Sequence, residues 1–407
     1  MSSMQTSSPQ DSTDDFVERL DSITGATVVH GMSFSDLTTL RIGSAPRAVV
    51  EVTTPGAVAA VVKEVVDAQV PWLVVGGGSN LVVGESSTVE EFIVVHLTVR
   101  QPILDDSDGD VAEVAPVMMD VHEGTVSCFG GVVWDALVAA TVTSGLGGLE
   151  CLSGIPGSVG ATPVQNVGAY GVEVSSVLQR VLLTYCGVDG HVAGSQEWVT
   201  PDALDLSYRF SNLKFTRRAV VTAVEFRLTP GGMSAPLRFG ELARRLGVTP
   251  DESSQDGVVR RPAAAVREAV LELRRSKGMV LDAEDHDTWS AGSFFTNPII
   301  DADTLPLIHH AVREHCGDDV VDSMPVFPTG DGVKLSAAWL IDKSGLTKGW
   351  KVRDGAPASL STKHTLALTN RGGARSADIA ELAEAVRAHV RETFGVDLEP
   401  EPVWVGF

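Results

Sequence analysis

Positive charge is scarce in this chain. Thirty-one Lys and Arg face 53 Asp and Glu, a formal net charge of −22. A surface of that sign repels nucleic acid and anionic membranes, so neither is expected as a partner. A phosphate-bearing ligand would have to be met by a few local cations or by backbone N–H groups. Cysteine is scarce too. Cys128, Cys151, Cys186 and Cys316 form no CxxC pair, and their spacing builds neither a zinc site nor a disulfide framework. They read as reduced thiols in a reducing compartment. No apolar run approaches the roughly 18 residues needed to span a bilayer. The start of the chain lacks the basic segment and apolar centre of a secretory signal. A soluble, cytoplasmic protein is expected. His309, His310, His315 and Cys316 fall close together, but not as HExxH, and read as a polar helix face rather than a metal site. There is no GxSxG elbow.

What is present is enough for a substantial core. The chain has 407 residues, 43% of them hydrophobic. At roughly 150 residues per domain, two or three domains are expected. Residues 1–25 are polar and read as a disordered tail. Ala48–Val52 reads as a strand. Thr54 and Pro55 form a helix start, and Val58, Val61, Val62 and Val65 follow at helical spacing. Pro71–Val75 is a second strand, which completes a β-α-β unit. Strands mixed with one helix follow; Trp134, Leu137, Val138 and Thr141 mark that helix. Ala219–Leu228 reads as a strand, and 251–257 as an exposed loop. Pro262 opens a helix carrying Val266, Val270 and Leu273, which Gly278 stops. A domain boundary is expected near 280–290. Beyond it lie three helical patterns, the last marked by Ile379, Leu382, Val386 and Val390.

Two glycine-rich segments stand out. Gly76, Gly77, Gly78, Ser79 and Asn80 follow a strand, as a phosphate loop does, and small residues let a ligand approach the backbone. Yet a strand follows rather than a helix, and the spacing is neither GxGxxG nor a Walker motif. A phosphate-binding loop and a tight turn between strands both fit. The second segment, Gly154 to Gly171, holds five glycines and two prolines in 18 residues, with Gln165, Asn166 and Tyr170. It cannot be a helix interior or a central strand. A loop this long is either a binding loop or a structural Ω-loop.

Four motifs in one order resemble the UDP-N-acetylenolpyruvoylglucosamine reductase family. They are Gly76–Asn80, Gly154–Gly171, the run Ala291 to Pro298, and Leu398 to Glu401. The likeness begins near Thr38-Thr-Leu-Arg-Ile-Gly43. It implies an α+β protein with an FAD-binding fold of the vanillyl-alcohol-oxidase type in two subdomains, plus a separate α+β substrate-binding domain. The expected division is 26–98 joined by 398–407, then 99–284, then 285–397. The resemblance implies bound FAD, NADPH as hydride donor, and a UDP-sugar substrate whose enolpyruvyl group is reduced to give UDP-N-acetylmuramate for peptidoglycan. A monomer is expected.

The resemblance also implies roles for residues. Gly76 to Asn80, Pro156, Gly157, Ser158, Gly160, Asn166 and Gly168 would hold FAD. Arg209 would be a catalytic arginine; a guanidinium is always charged and can grip a carboxylate with two bonds. Ser293 would donate the proton, although read from its neighbours alone it is a loop hydroxyl or an N-cap. Glu401 would be a catalytic glutamate, and the apolar stretch after it suggests the burial that shifts a carboxyl group. Tyr170, Arg274, Lys277 and Asn297 would bind the substrate, although Lys277 also suits a helix C-terminus. Two departures stand out. Phe239 replaces a tyrosine that closes over the substrate diphosphate, so it can stack but not hydrogen-bond. Thr296 stands where some members carry lysine. A flavin oxidase of another alcohol and a non-catalytic flavin-binding protein are the alternatives. The first often tethers flavin through histidine, and neither glycine segment contains one. The second has no use for Arg209, Ser293 and Glu401 together.

Overall fold

The computed structural model describes residues 13–99, 115–238, 240–249, 252, 259–330 and 332–407. Its first sheet has four strands in the order Ala26–Val29, Ala48–Val52, Ile93–Leu97, Trp72–Val75. The first pair is antiparallel and the other two pairs are parallel. The crossover helix is Pro55–Asp67. Its start is capped as expected, with Thr54 Oγ1 accepting from the Ala57 N–H at 3.2 Å. Val58, Val61, Val62 and Val65 are fully buried. The strands flanking this helix are not neighbours, because Ile93–Leu97 lies between them. That strand is a nearly continuous apolar run, as befits a central parallel strand covered on both faces.

A second sheet is wholly antiparallel. Its order is Gln196–Val199, Leu178–Tyr185, Ala219–Arg227, Thr125–Phe129, Val117–Asp120. The helices Trp134–Thr143 and Ala263–Ser276 pack against the core beneath it. The C-terminal part has its own core. It is built on the helices Leu305–Cys316, Ala337–Lys343 and Ser376–Phe394 and a small three-stranded sheet.

Several threads tie this part back to the N-terminal half. Leu40, Ile42 and Val82 belong to the C-terminal core. Thr39 Oγ1 donates to the Ser290 carbonyl at 2.7 Å, and Asn370 Nδ2 to the Leu40 carbonyl at 3.0 Å. The Glu85 carboxylate accepts from Ser376 N at 3.1 Å and Ser376 Oγ at 2.6 Å, at the positive end of the long helix. The closing strand Val403–Val405 pairs in parallel with Leu81–Val83.

The expected N-terminal tail needs correction. Thr13–Asp21 is a helix, with Phe16 and Leu20 buried against the first core. Those residues lie four apart on one face, a pattern hidden in sequence by the charged residues around them. Residues 1–12, and all of the loop expected at 251–257 except Glu252, lie outside the described residues. No described helix is long and apolar enough to cross a membrane.

Candidate active site

The two glycine segments meet. They line one cleft of about 620 Å³, together with residues of the 209–217 loop, Arg274, Ser293 and Glu401. The volume falls within the roughly 300–1,000 Å³ common for ligand sites. The glycines are needed for a reason the sequence did not disclose. A Cβ on Gly76 would lie 2.1 Å from Ser158 Oγ, and one on Gly77 2.5 Å from Gly157 Cα. Gly78 has φ +55°, and its Cβ would lie 1.9 Å from the Leu37 carbonyl oxygen. The first segment is thus a tight turn between strands and also a cleft wall. Its glycines let the two loops touch, and Ser79 Oγ donates to the Pro156 carbonyl at 3.0 Å across the contact. What remains facing the cleft is largely backbone, which suits a phosphate-bearing ligand in a strongly acidic protein.

One corner of the cleft gathers the ionisable groups. The loop at 205–217 holds four non-glycine residues at positive φ: Asp205, Arg209, Phe215 and Arg217. Each such residue costs on the order of 1–3 kcal/mol, and such strain concentrates where a side chain must be aimed. Arg209 Nη2 donates to the Gly168 carbonyl at 2.6 Å, and its Nε lies 3.7 Å from Glu401 Oε1. Glu401 is fixed through its backbone. Its N–H donates to the Phe294 carbonyl at 2.9 Å, and Asn80 Nδ2 donates to its carbonyl at 3.4 Å. Asn80 Nδ2 also donates to Gln165 Oε1 at 2.8 Å, which joins both glycine segments to the C-terminal strand. Burial pushes the Glu401 carboxyl above its ordinary value, while Arg209 and Lys214 pull the other way. Ser293 is exposed on the cleft wall, beside Glu401's backbone partner Phe294. Arg274 is half-buried; its Nη2 donates to the Met279 carbonyl at 2.7 Å, and its buried Nε has no hydrogen-bond partner among the described residues.

The structure therefore brings Gly76 to Asn80, Pro156, Gly157, Ser158, Gly160, Gly168, Arg209, Arg274, Ser293 and Glu401 to the lining of one cleft. Four expected residues are not on it. Asn166 sits at φ +45°, and its amide is consumed by Glu173, Ser207 and the Ser175 N–H at 3.0–3.1 Å. Its side chain shapes the loop rather than facing the cleft. Asn297 Oδ1 accepts from Ala337 N at 3.0 Å, at the start of a helix. Lys277 ends its helix and pairs with Glu241 at 3.2 Å. Tyr170, at φ +52°, lies near Arg274 and Glu241. Phe239 lies outside the described residues. Lys214 and Arg217 line the cleft and were not among the expected site residues. The paired arginines at 217–218, just before a strand in an acidic chain, were the available signal for Arg217.

A family model described as UDP-N-acetylenolpyruvoylglucosamine reductase, C-terminal domain, matches residues 284–405, and an FAD binding domain model matches 46–191. The chain is 57% identical over 401 residues to a UDP-N-acetylenolpyruvoylglucosamine reductase of Corynebacterium jeikeium, covering 93% of this chain and 91% of that one. The chain belongs to the UDP-N-acetylenolpyruvoylglucosamine reductase family. A Nocardia farcinica protein of the same description is 52% identical, covering 97% of this chain and 94% of its own. The solved Thermus caldophilus structure titled UDP-N-acetylenolpyruvylglucosamine reductase superposes with a TM-score of 0.57 at 23% identity, covering 94% and 99% of the two chains, and shares the fold.

The glycine contact makes a testable demand. Gly77→Ala places a methyl group 2.5 Å from Gly157 Cα, so the loops must part. Overpacking of this kind costs about 1–3 kcal/mol. We expect a folded protein that purifies with much less flavin than wild type. Flavin content by absorbance checks this, and wild-type content would contradict it.

Proposed function

We propose that the chain reduces the enolpyruvyl group of UDP-N-acetylglucosamine enolpyruvate to the lactyl ether of UDP-N-acetylmuramate, using NADPH and FAD, in peptidoglycan precursor synthesis. The net balance is one hydride from NADPH and one proton added across the carbon–carbon double bond. FAD, when bound, supplies the two-electron hydride chemistry between NADPH and substrate. The glycine-lined cleft fits it: two apposed glycine-rich loops and a volume of about 620 Å³.

The observation that carries the reading is that Arg209, Ser293 and Glu401, from three distant stretches, line that one cleft. Hydride addition at one carbon builds negative charge at the next, delocalised into the substrate's carboxylate. Arg209, held by the Gly168 carbonyl, supplies the positive charge that stabilises it. Ser293 presents a hydroxyl that delivers the proton without free water. Glu401 orients Arg209 and sets the charge balance of the corner. The peptide groups and small side chains of Gly76 to Asn80, Pro156, Gly157, Ser158, Gly160 and Gly168 would hold FAD, and the Arg274 guanidinium, which lines the same cleft, places positive charge beside an anionic group there.

Lys277, Asn297 and Tyr170 lie off the wall and receive the UDP end of the substrate. In support, burial above all pushes His364 down to about 4, and Lys277 and Lys348, both close enough to add to that shift, bring positive charge there. Of the division into 26–98 with 398–407, 99–284 and 285–397, the last unit is supported by the C-terminal core, whereas 26–98 and 99–284 share one core. The chain acts as a monomer in the cytoplasm; four unbridged cysteines agree with a reducing compartment.

The purified protein should be yellow, and NADPH should bleach it without oxygen. A colourless protein that takes up no added FAD would overturn the proposal.

A further inference from the structure

Leu213, Lys214 and Phe215 are arranged against their hydropathy. Phe215 is 70% exposed, while Lys214 is only 8% exposed. The left-handed Phe215 backbone, at φ +65°, accompanies this inversion. Lysine is almost never buried unless it is paired. Lys214 lines the cleft, and the one hydrogen bond its ammonium makes among the described residues is to the Arg209 carbonyl, at 3.3 Å. No carboxylate lies within ion-pair distance of it among those residues. The carboxylate whose field it feels is Glu401. Its Nζ also lies 5.1 Å from the centre of the Phe215 ring, but a buried ammonium with no carboxylate partner is costly. Such departures from local rules concentrate at functional sites. The carbonyl it holds belongs to a residue at φ +56°, the very residue whose guanidinium meets Gly168 and Glu401.

We propose that Lys214 is a positioning residue for substrate reduction: it pins the left-handed Arg209 backbone and places a second positive charge beside Glu401. It acts through those two groups rather than on the substrate. Among the described residues, the charged and titratable groups facing Glu401 are Arg209, Lys214 and Tyr208, all on one loop. This inference rests on the reductase reading above.

The test uses the FAD-loaded enzyme reduced beforehand and mixed with the enolpyruvyl sugar nucleotide. Lys214→Met should keep its flavin and its melting temperature. Its reoxidation by substrate should slow about tenfold or more, a tenfold loss being roughly 1.4 kcal/mol at the barrier. The pH limb set by Glu401 should also move to higher pH, because a cation favouring the carboxylate is gone. Lys214→Arg should restore the position of that limb. A packing role alone would slow reoxidation without moving the limb, and Lys214→Arg would not rescue it; that outcome overturns the proposal, as does wild-type behaviour of Lys214→Met. Should Lys214→Met fail to hold FAD, Lys214→Gln keeps a donor for the Arg209 carbonyl, removes the charge and reads the same limb. If wild type itself is not reoxidised by the substrate, the reductase reading fails instead.

Discussion

Ser293→Ala should leave reduction of the flavin by NADPH close to wild type and slow reoxidation by substrate by about 10²–10⁴-fold, the usual contribution of a positioned proton donor. The expectation follows from place and chemistry. Ser293 lies on the cleft wall, and its backbone neighbour Phe294 receives the Glu401 N–H. NADPH delivers a hydride without needing a proton from this hydroxyl. The substrate needs one at the carbon next to the site of hydride addition. Removing a single oxygen from an exposed side chain leaves the core untouched, so flavin content and melting temperature should not change. Stopped-flow measurement of the two half-reactions separates the steps. Equal slowing of both would point to a disturbed flavin, and fast reoxidation would remove Ser293 as proton donor.

Glu401→Gln should slow reoxidation by about 100-fold or more, as expected when a group tuned for charge is neutralised. The pH profile is the sharper readout. Burial disfavours the carboxylate, and the two cations only partly offset this, so the carboxyl titrates above its ordinary value. Wild type should therefore show a limb above the roughly 4.3 of a free glutamate. Below that limb the protonated form dominates, and above it the carboxylate. Glu401→Gln has nothing to titrate and should lose the limb. A limb that survives the substitution belongs to another group and would remove Glu401 from this role.

Regular elements were legible in the sequence because their periodicity is locally complete. The Pro55 helix shows its cap and its apolar face within a dozen residues. The last helix does the same through Ile379, Leu382, Val386 and Val390, all fully buried. Pairing was less legible, since nothing local says that Ile93–Leu97 lies between the strands flanking the first helix. The helix at Thr13–Asp21 was hidden because its apolar face is short and lies among acidic and polar neighbours.

The glycine segments were legible as special backbone, but the reason lay in tertiary contact: Gly77 meets Gly157, a residue 80 positions away. Asn166 looked like a ligand amide, yet it serves its own loop. Ser293 carried no local sign of reactivity; only the resemblance singled it out. Lys214 was hidden by its neighbours, since a lysine followed by phenylalanine suggests the charge outside and the ring inside. The strained backbone of the 205–217 loop reverses that order.

The central claim is that this cleft reduces an enolpyruvyl sugar nucleotide. Anaerobic enzyme, bleached with one equivalent of NADPH and freed of nicotinamide, should regain its oxidised spectrum when UDP-N-acetylglucosamine enolpyruvate is added, with one UDP-N-acetylmuramate formed per flavin. A reduced flavin that stays bleached in the presence of that substrate, yet reoxidises in air, would contradict the account.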